Sequence, residues 1–328
     1  MRYIDGRAPL LTERIADGRI VDGHGDLLAE DIFVLPDGFR ILDCLDFDDE
    51  LRYVDGLDDA AFLAMDLEFL GHPQQSGAFL DHYLRAAGDA PPESLRHHYI
   101  AYRAMVRAKT DSVRAGQGDA EAAGRAGRHI ELAIRHLERG AVRLVLVGGL
   151  PGTGKSTVAA RLATATGAEV ISSDSVRTTL RATGAITGAA GRFGAGAYEP
   201  AAKALVYSYL LDRARERLEH GVSVILDASW TDADERALAT AVADRTCSDL
   251  VPLRCACPRP FAAERIGTRP HGDSEATPAI ADALAATAAP WPEATVIDTA
   301  GPIDDSVAAA VCAWRDGMAE PSAALRRG

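Results

Sequence analysis

The sequence predicts an α/β protein: a mostly helical first part with a small β-hairpin, then a three-layer domain built around a parallel sheet. Three observations point there. Between Arg143 and Thr157 a continuous apolar run, Leu144-Val145-Leu146-Val147, breaks into glycines and then into Gly154-Lys155-Ser156-Thr157, ahead of a helix-like Val158–Leu162. Beyond it, apolar segments near 142–147, 168–172, 222–227, 249–255 and 294–298 alternate with helical ones, the pattern of βαβ crossovers. Ahead of it, helical stripes over about 56–71, 76–87, 92–115 and 120–139 are separated by breakers at Gly71-His72-Pro73, Gly88, Pro91-Pro92 and Gly116-Gln117-Gly118. The expected divisions are residues 1–140, residues 141–318 and a disordered tail over 319–328.

A chain of 328 residues, 47% hydrophobic and 25% charged, can bury sizeable cores in two domains. Its formal net charge of −13 argues against a nucleic-acid partner, since phosphate contacts need a basic field. Cys44, Cys247, Cys255, Cys257 and Cys312 are odd in number and form no C-x-x-C pair, which suggests neither a disulfide framework nor a zinc site. The start of the chain lacks a basic segment followed by an apolar core, and no apolar run reaches membrane-spanning length, so a cytoplasmic protein without a membrane partner is expected.

In chain order, Met1 to Arg19 has helical spacing and ends in an Asp17-Gly18 turn. A polar cluster from Ile20 to Asp31, containing His24, Gly25 and Asp26, then runs into Ile32–Leu35, a Pro36-Asp37-Gly38 turn and Phe39–Leu42, which ends on Asp43. A loop with a carboxylate, a hairpin, and a second carboxylate at a strand end is the layout of a kinase catalytic segment. In it Asp26 would accept a hydroxyl proton, and Asp31 and Asp43 would hold Mg²⁺. The acidic run Leu45–Glu50 is expected to be solvated, and His97 and His98 to be structural or exposed.

In the second part the pattern G-x-x-x-x-G-K-[ST] is met by Gly149, Gly154, Lys155 and Ser156. Gly149, Pro151, Gly152, Thr153, Gly154, Lys155, Ser156 and Thr157 are the candidate phosphate-binding loop. Its glycines let backbone N–H groups turn inward, Lys155 neutralises phosphate charge and the Ser156 hydroxyl serves a metal ion. Ligands of a parallel sheet bind at the strands' carboxyl ends. There the second strand ends in Ser173-Asp174-x-x-Arg177, a carboxylate and a guanidinium on one helix face, although a helix-capping Asp174 gives the same spacing. The third ends in Asp227, a carboxylate placed to reach Mg²⁺ with Ser156. Asp232, Asp234 and Glu235 open the next helix and would serve its dipole, while Arg236 could face either solvent or the site. Arg265 and Arg269, four apart after the fourth strand, would reach the phosphates from a lid. The glycine- and alanine-rich stretch 183–197 would border the substrate as a loop, and the turn at Asp298–Pro302 could receive adenine.

His24-Gly25-Asp26-Leu27 with Asp31 and Asp43 resembles the C-terminal lobe of aminoglycoside phosphotransferase-like kinases, with Asp31 where those enzymes usually have Asn. The N-terminal lobe of such kinases has no counterpart in the roughly twenty residues ahead of the loop. Gly149–Thr157, Asp174, Arg177, Asp227 and Arg265/Arg269 resemble small P-loop kinases akin to gluconate kinase, chloramphenicol phosphotransferase, zeta toxins and phage polynucleotide kinase. The whole chain looks like a bacterial fusion of the two. The resemblance implies ATP, Mg²⁺ and phosphoryl transfer to a hydroxyl of a small molecule, with Lys155, Asp174, Arg177, Arg265 and Arg269 as catalytic residues. A nucleotide-dependent regulatory ATPase and a polynucleotide 5′-hydroxyl kinase are the alternatives.

Overall fold

The computed structural model describes residues 2–186, 199–268 and 278–317, so Arg269, most of the 183–197 stretch and the 319–328 tail lie outside the described residues. The segment up to Arg19 is two helices rather than one: α1 (Arg2–Asp5) and α2 (Ala8–Ala16). Pro9 explains the break, since proline fits a helix's first turn and not its interior. α1 groups with the residues from Val142 onward, and Arg7–Ala141 form a unit of their own.

In that helical unit Ile20–Asp22 is not part of a loop but a strand, β1. The hairpin follows as β2 (Ile32–Leu35) and β3 (Gly38–Ile41), with Phe33 opposite Arg40. β4 (Tyr53–Asp55) then returns to pair antiparallel with β1, a non-local partnership that no short window of sequence displays. Four helices complete the unit: α3 (Gly56–Phe69), α4 (Pro73–Ala87), α5 (Glu93–Gly116) and α6 (Ala122–Arg139). α3 buries Leu57, Phe62 and Met65, and α5 buries Leu95 and Ile100. Each such side chain contributes about 1.5–3 kcal/mol on leaving water.

Several buried charges of this unit are paired. Arg103 donates through Nε and Nη2 to the two carboxylate oxygens of Asp58, both at 2.8 Å, and lies over the Phe62 ring. Burial nevertheless pushes the Asp58 carboxyl up to about 6, against the pull of Arg103. Arg14 joins Asp55 to Asp89, and the Tyr99 hydroxyl donates to Asp55 at 3.1 Å. His97 is structural: its Nδ1 lies 3.0 Å from Nδ1 of His136, whose Nε2 meets Glu68 at 3.0 Å.

The second unit is an α/β domain with a five-stranded, wholly parallel sheet. Its elements run β5 (Arg143–Gly148), α7 (Lys155–Thr166), β6 (Glu169–Ser172), α8 (Ser173–Ala182), α9 (Pro200–Glu219), β7 (Val224–Asp227), α10 (Ala233–Arg245), β8 (Asp249–Ala256), α11 (Arg259–Thr268), α12 (Pro278–Thr287), β9 (Thr295–Asp298) and α13 (Ile303–Asp316). The strand order is β6-β7-β5-β8-β9, which puts β5 in the centre. Every residue of β5 is buried, as a strand covered on both faces requires. Leu144 and Leu146 point into one core with α8, α9 and α10, whereas Val145 and Val147 point into the other with α7 and α13. These two cores make the three layers. The register places Asp227 beside both Val147 and Ser172, so the three strand ends lie level.

Candidate active site

The turn after β5 takes backbone conformations that glycine alone adopts freely: φ is 132° at Gly149, 79° at Gly152 and 81° at Gly154. At Gly149 and Gly152 there is no room for a side chain either. A Cβ on Gly149 would strike the Cys255 carbonyl, and one on Gly152 the Ala262 carbonyl of α11. Gly154 caps α7, so Lys155, Ser156 and Thr157 form its first turn, whose free N–H groups carry the positive end of the helix dipole. Thr153 Oγ1 donates to the Leu150 carbonyl at 2.7 Å, and Lys155 Nζ donates to the same oxygen at 3.1 Å. Gly149 N donates to the Ser229 carbonyl at 3.1 Å, which ties the loop to the end of β7.

β7 delivers Asp227 into this setting. Its carboxylate is buried, in the neighbourhood of the Lys155 ammonium and the Ser156 hydroxyl. Burial raises its proton affinity, Lys155 and Ser156 oppose that rise, and Asp174 reinforces it. Three residues on, Trp230 takes φ 52°, a costly conformation for a bulky side chain. It is held there by edge-on packing against Tyr207 and by Nε1 donating to the Leu226 carbonyl at 3.2 Å. This strained turn aims the Ser229 carbonyl at Gly149.

Asp174 and Arg177 are joined directly, Oδ1 to Nη1 at 2.6 Å. Asp174 is not the cap of α8. That role belongs to Ser172, whose hydroxyl accepts from Ser175 N at 3.0 Å, and Asp174 is thereby left to its guanidinium partner. Arg265, on α11 above the loop, donates to the Thr299 carbonyl at 2.8 Å. The Thr299 hydroxyl in turn donates to the Thr153 carbonyl at 2.8 Å and contacts the Ala256 carbonyl at 3.1 Å. The Asp298–Pro302 turn therefore acts as a strut under the loop, a role its small residues did not announce. Thr299→Val, which removes the strut's donor at a buried site, is expected to weaken binding of a nucleoside triphosphate at this loop several-fold, measured by calorimetry.

A cavity of about 1330 Å³ brings together Lys155, Ser156, Asp174, Arg177, Asp227 and Arg265, from four separate segments of the chain. The same cavity exposes Lys203, Tyr207 and Glu235, which sequence reasoning did not single out as site residues. Asp232 does cap α10, accepting from Asp234 N at 3.0 Å, but Glu235 turns inward to Lys203 Nζ at 2.9 Å rather than serving the dipole. Arg236 donates to the Trp230 and Pro290 carbonyls, both at 2.8 Å, and so ties loops together. Cys255 is buried and its thiol pushed up to about 12, a protonated and inert group.

In the helical unit, His24 N and Gly25 N donate to the Asp59 carboxylate at 2.9 and 2.8 Å, and Arg103 Nη1 reaches the Gly25 carbonyl at 3.4 Å. Asp26 lies 3.6 Å from Arg107, and its carboxyl is raised, chiefly by burial. Asp31 braces the loop by accepting from Leu28 N at 3.3 Å. Asp43 follows β3 with φ 63°, a left-handed conformation that Asp tolerates.

The C-terminal unit is therefore a parallel α/β domain with a P-loop at the carboxyl end of its central strand. Residues 144–290 match the sequence model of the family described as "AAA domain". Uncharacterized proteins of Mycobacterium tuberculosis and Mycobacterium bovis are 50% identical over 316 residues, 96% of this chain. The chain spans 64% of the length of those relatives. Among solved structures, a sugar kinase from Janibacter sp. aligns at 20% identity with a TM-score of 0.43, covering 54% of this chain and 96% of its own. The Mycobacterium tuberculosis APS kinase in complex with AMPPNP and APS aligns at 20% identity with a TM-score of 0.39, covering 53% and 96%. No helix among the described residues is long and apolar enough to cross a membrane.

Proposed function

We propose that the C-terminal unit is an ATP-dependent phosphotransferase that moves the γ-phosphate to a hydroxyl of a small molecule. The observation that carries this is the single cavity in which the loop of Gly149–Thr157 faces Asp174, Arg177, Asp227 and Arg265. The loop's inward N–H groups and Lys155 bind the phosphates. The donor set fits Mg²⁺: a hydroxyl and a buried carboxylate are hard oxygen ligands, and among the described residues no larger His, Cys, Asp or Glu cluster competes as a cage. Held by Ser156 and Asp227, the ion would supply charge neutralisation between the phosphates.

Asp174 accepts the acceptor's proton as the hydroxyl oxygen bonds to the γ-phosphorus. The bond from that phosphorus to the β–γ bridging oxygen breaks, and ADP leaves with the electron pair. Arg177 orients Asp174, and Lys155 and Arg265 face the charge that spreads over the transferring group. Asp174→Asn keeps the shape and the Arg177 contact but cannot take the proton, so isotope transfer from γ-labelled ATP to products of a cell extract should fall about 100-fold or more. Unchanged transfer would remove Asp174 from the chemistry. For the helical unit we propose, on the sequence resemblance, the phosphotransferase-lobe reading of His24, Asp26, Asp31 and Asp43, with Asp26 near enough to Asp31 and His24 to feel their charge. Loss of transfer in Asp26→Asn, with Asp174 intact, would assign chemistry to that loop instead.

A further inference from the structure

In the helical unit α5 and α6 form an antiparallel pair, held level by His97 against His136 at one end and by Asp111 against Arg125 and His129 at the other. Both helices turn their inner sides to α3. Arg103 of α5 pairs with Asp58, and on α6 His136 meets Glu68 while His129 stacks on Phe69. The outer sides of such a pair should be polar, as on helices that end at water. Instead each carries an apolar stripe: Tyr102, Met105 and Val113 on α5, and Ile130, Ile134 and Leu137 on α6. At about 100° per residue both stripes fall on the side away from α3. All six side chains are exposed, from 41% at Ile130 to 54% at Val113. A lone exposed apolar residue is ordinary, whereas two stripes on adjoining helices make a contiguous patch, the mark of an interaction surface.

The patch has the dimensions of half an interface. About half the surface of six large side chains amounts to roughly 500 Å², so two copies joined through it would bury about 1,000 Å² from these residues alone, what a specific interface must reach before its rim is counted. The three- and four-residue spacing is that of a helix-packing seam, and the face is two helices wide, so a second such face completes a four-helix bundle. The charges choose the arrangement. Lys109 stands in the α5 stripe between Met105 and Val113, and Glu131 borders the α6 stripe, both exposed. A twofold axis across the helices would lay α5 on α5 and set Lys109 near its own copy. An axis parallel to the helices lays α5 of one copy on α6 of the other at unchanged height. Since Asp111 is level with Arg125 and His129, Lys109 then crosses α6 near Gly127, where a missing side chain leaves open space, with Glu131 about one turn on. We propose that two copies of this chain dimerise through the outer face of α5 and α6, as a four-helix bundle whose twofold axis runs along the helices.

Sedimentation equilibrium of the full chain, from about 1 to 100 µM, should show a reversible dimer. Ile134→Glu puts a charge at the centre of the patch and should raise the dissociation constant at least about a hundredfold. Its side chain is half exposed in the protomer, so the helical circular dichroism should not change. Lys109→Glu and Glu131→Lys should each weaken association a few-fold, and the double variant should recover it. A defect of folding, or a dimer through another face, would not give that rescue. A monomer at every concentration, a dimer indifferent to Ile134→Glu, or a double variant no better than its parents would each overturn the proposal, and a monomer would leave the face to a different protein.

Discussion

Lys155→Ala is expected to lower phosphoryl transfer about 10³-fold while the protein stays folded. The lysine is the first residue of α7, and its ammonium contacts a loop carbonyl, Leu150 O at 3.1 Å, rather than a core group. Removing it therefore deletes a charge aimed at the phosphates and little that holds the fold. The loss should fall on kcat and kcat/KM alike, because the charge it answers grows as the γ-phosphoryl group separates from its leaving oxygen. Stopped-flow and steady-state kinetics measure the rates, and the melting temperature of the variant should stay close to that of the parent. A variant that keeps its rate would place the reaction outside this loop.

Arg103→Leu is expected to destabilise the helical unit by roughly 3–5 kcal/mol at neutral pH, since it strands the buried Asp58 carboxylate. The pH dependence has a definite sign. Asp58 titrates at about 6 in the folded chain, above its ordinary value of 3.8, so the folded state binds more protons between those limits and loses stability as pH rises through them. Without Arg103 the folded value moves higher still, because burial is then unopposed. The cost of the substitution should accordingly shrink on going from pH 7 to pH 5, where the carboxyl is neutral and needs no cation. Trp230, Trp291 and Trp314 all belong to the C-terminal unit, so their fluorescence is blind to this loss. Hydrogen exchange at the amides of α3 and α5 reports it, and equal costs at both pH values would contradict the account.

Much of the fold was legible because it is written locally. The parallel sheet follows from apolar runs of strand length alternating with helical stripes, and the phosphate loop from the spacing of its glycines ahead of Lys155 and Ser156. What escaped reading depends on partners distant in sequence. β1 is only three residues long and exposed, and becomes a strand only when Tyr53–Asp55 lies beside it. Glu235 has the position of a helix-dipole residue and is drawn inward by Lys203 on another helix. Thr299 stands in an unremarkable turn, and its role exists because β8 and the loop end next to it. The cap of α8 stayed open in the sequence for a subtler reason. Ser172 and Asp174 are both good caps, and which one serves depends on where β6 stops, a boundary that composition leaves open by a residue or two.

The short helix at the start of the chain has a consequence for how the protein is made. α1 keeps company with residues translated far later: Arg2 pairs with Asp249 at 3.4 Å, and Gly6 is pressed against the Thr246 carbonyl. On a ribosome α1 emerges first, yet its partners at the end of α10 and in β8 follow about 240 residues later. The docking of this first turn is thereby among the later events in the folding of its unit.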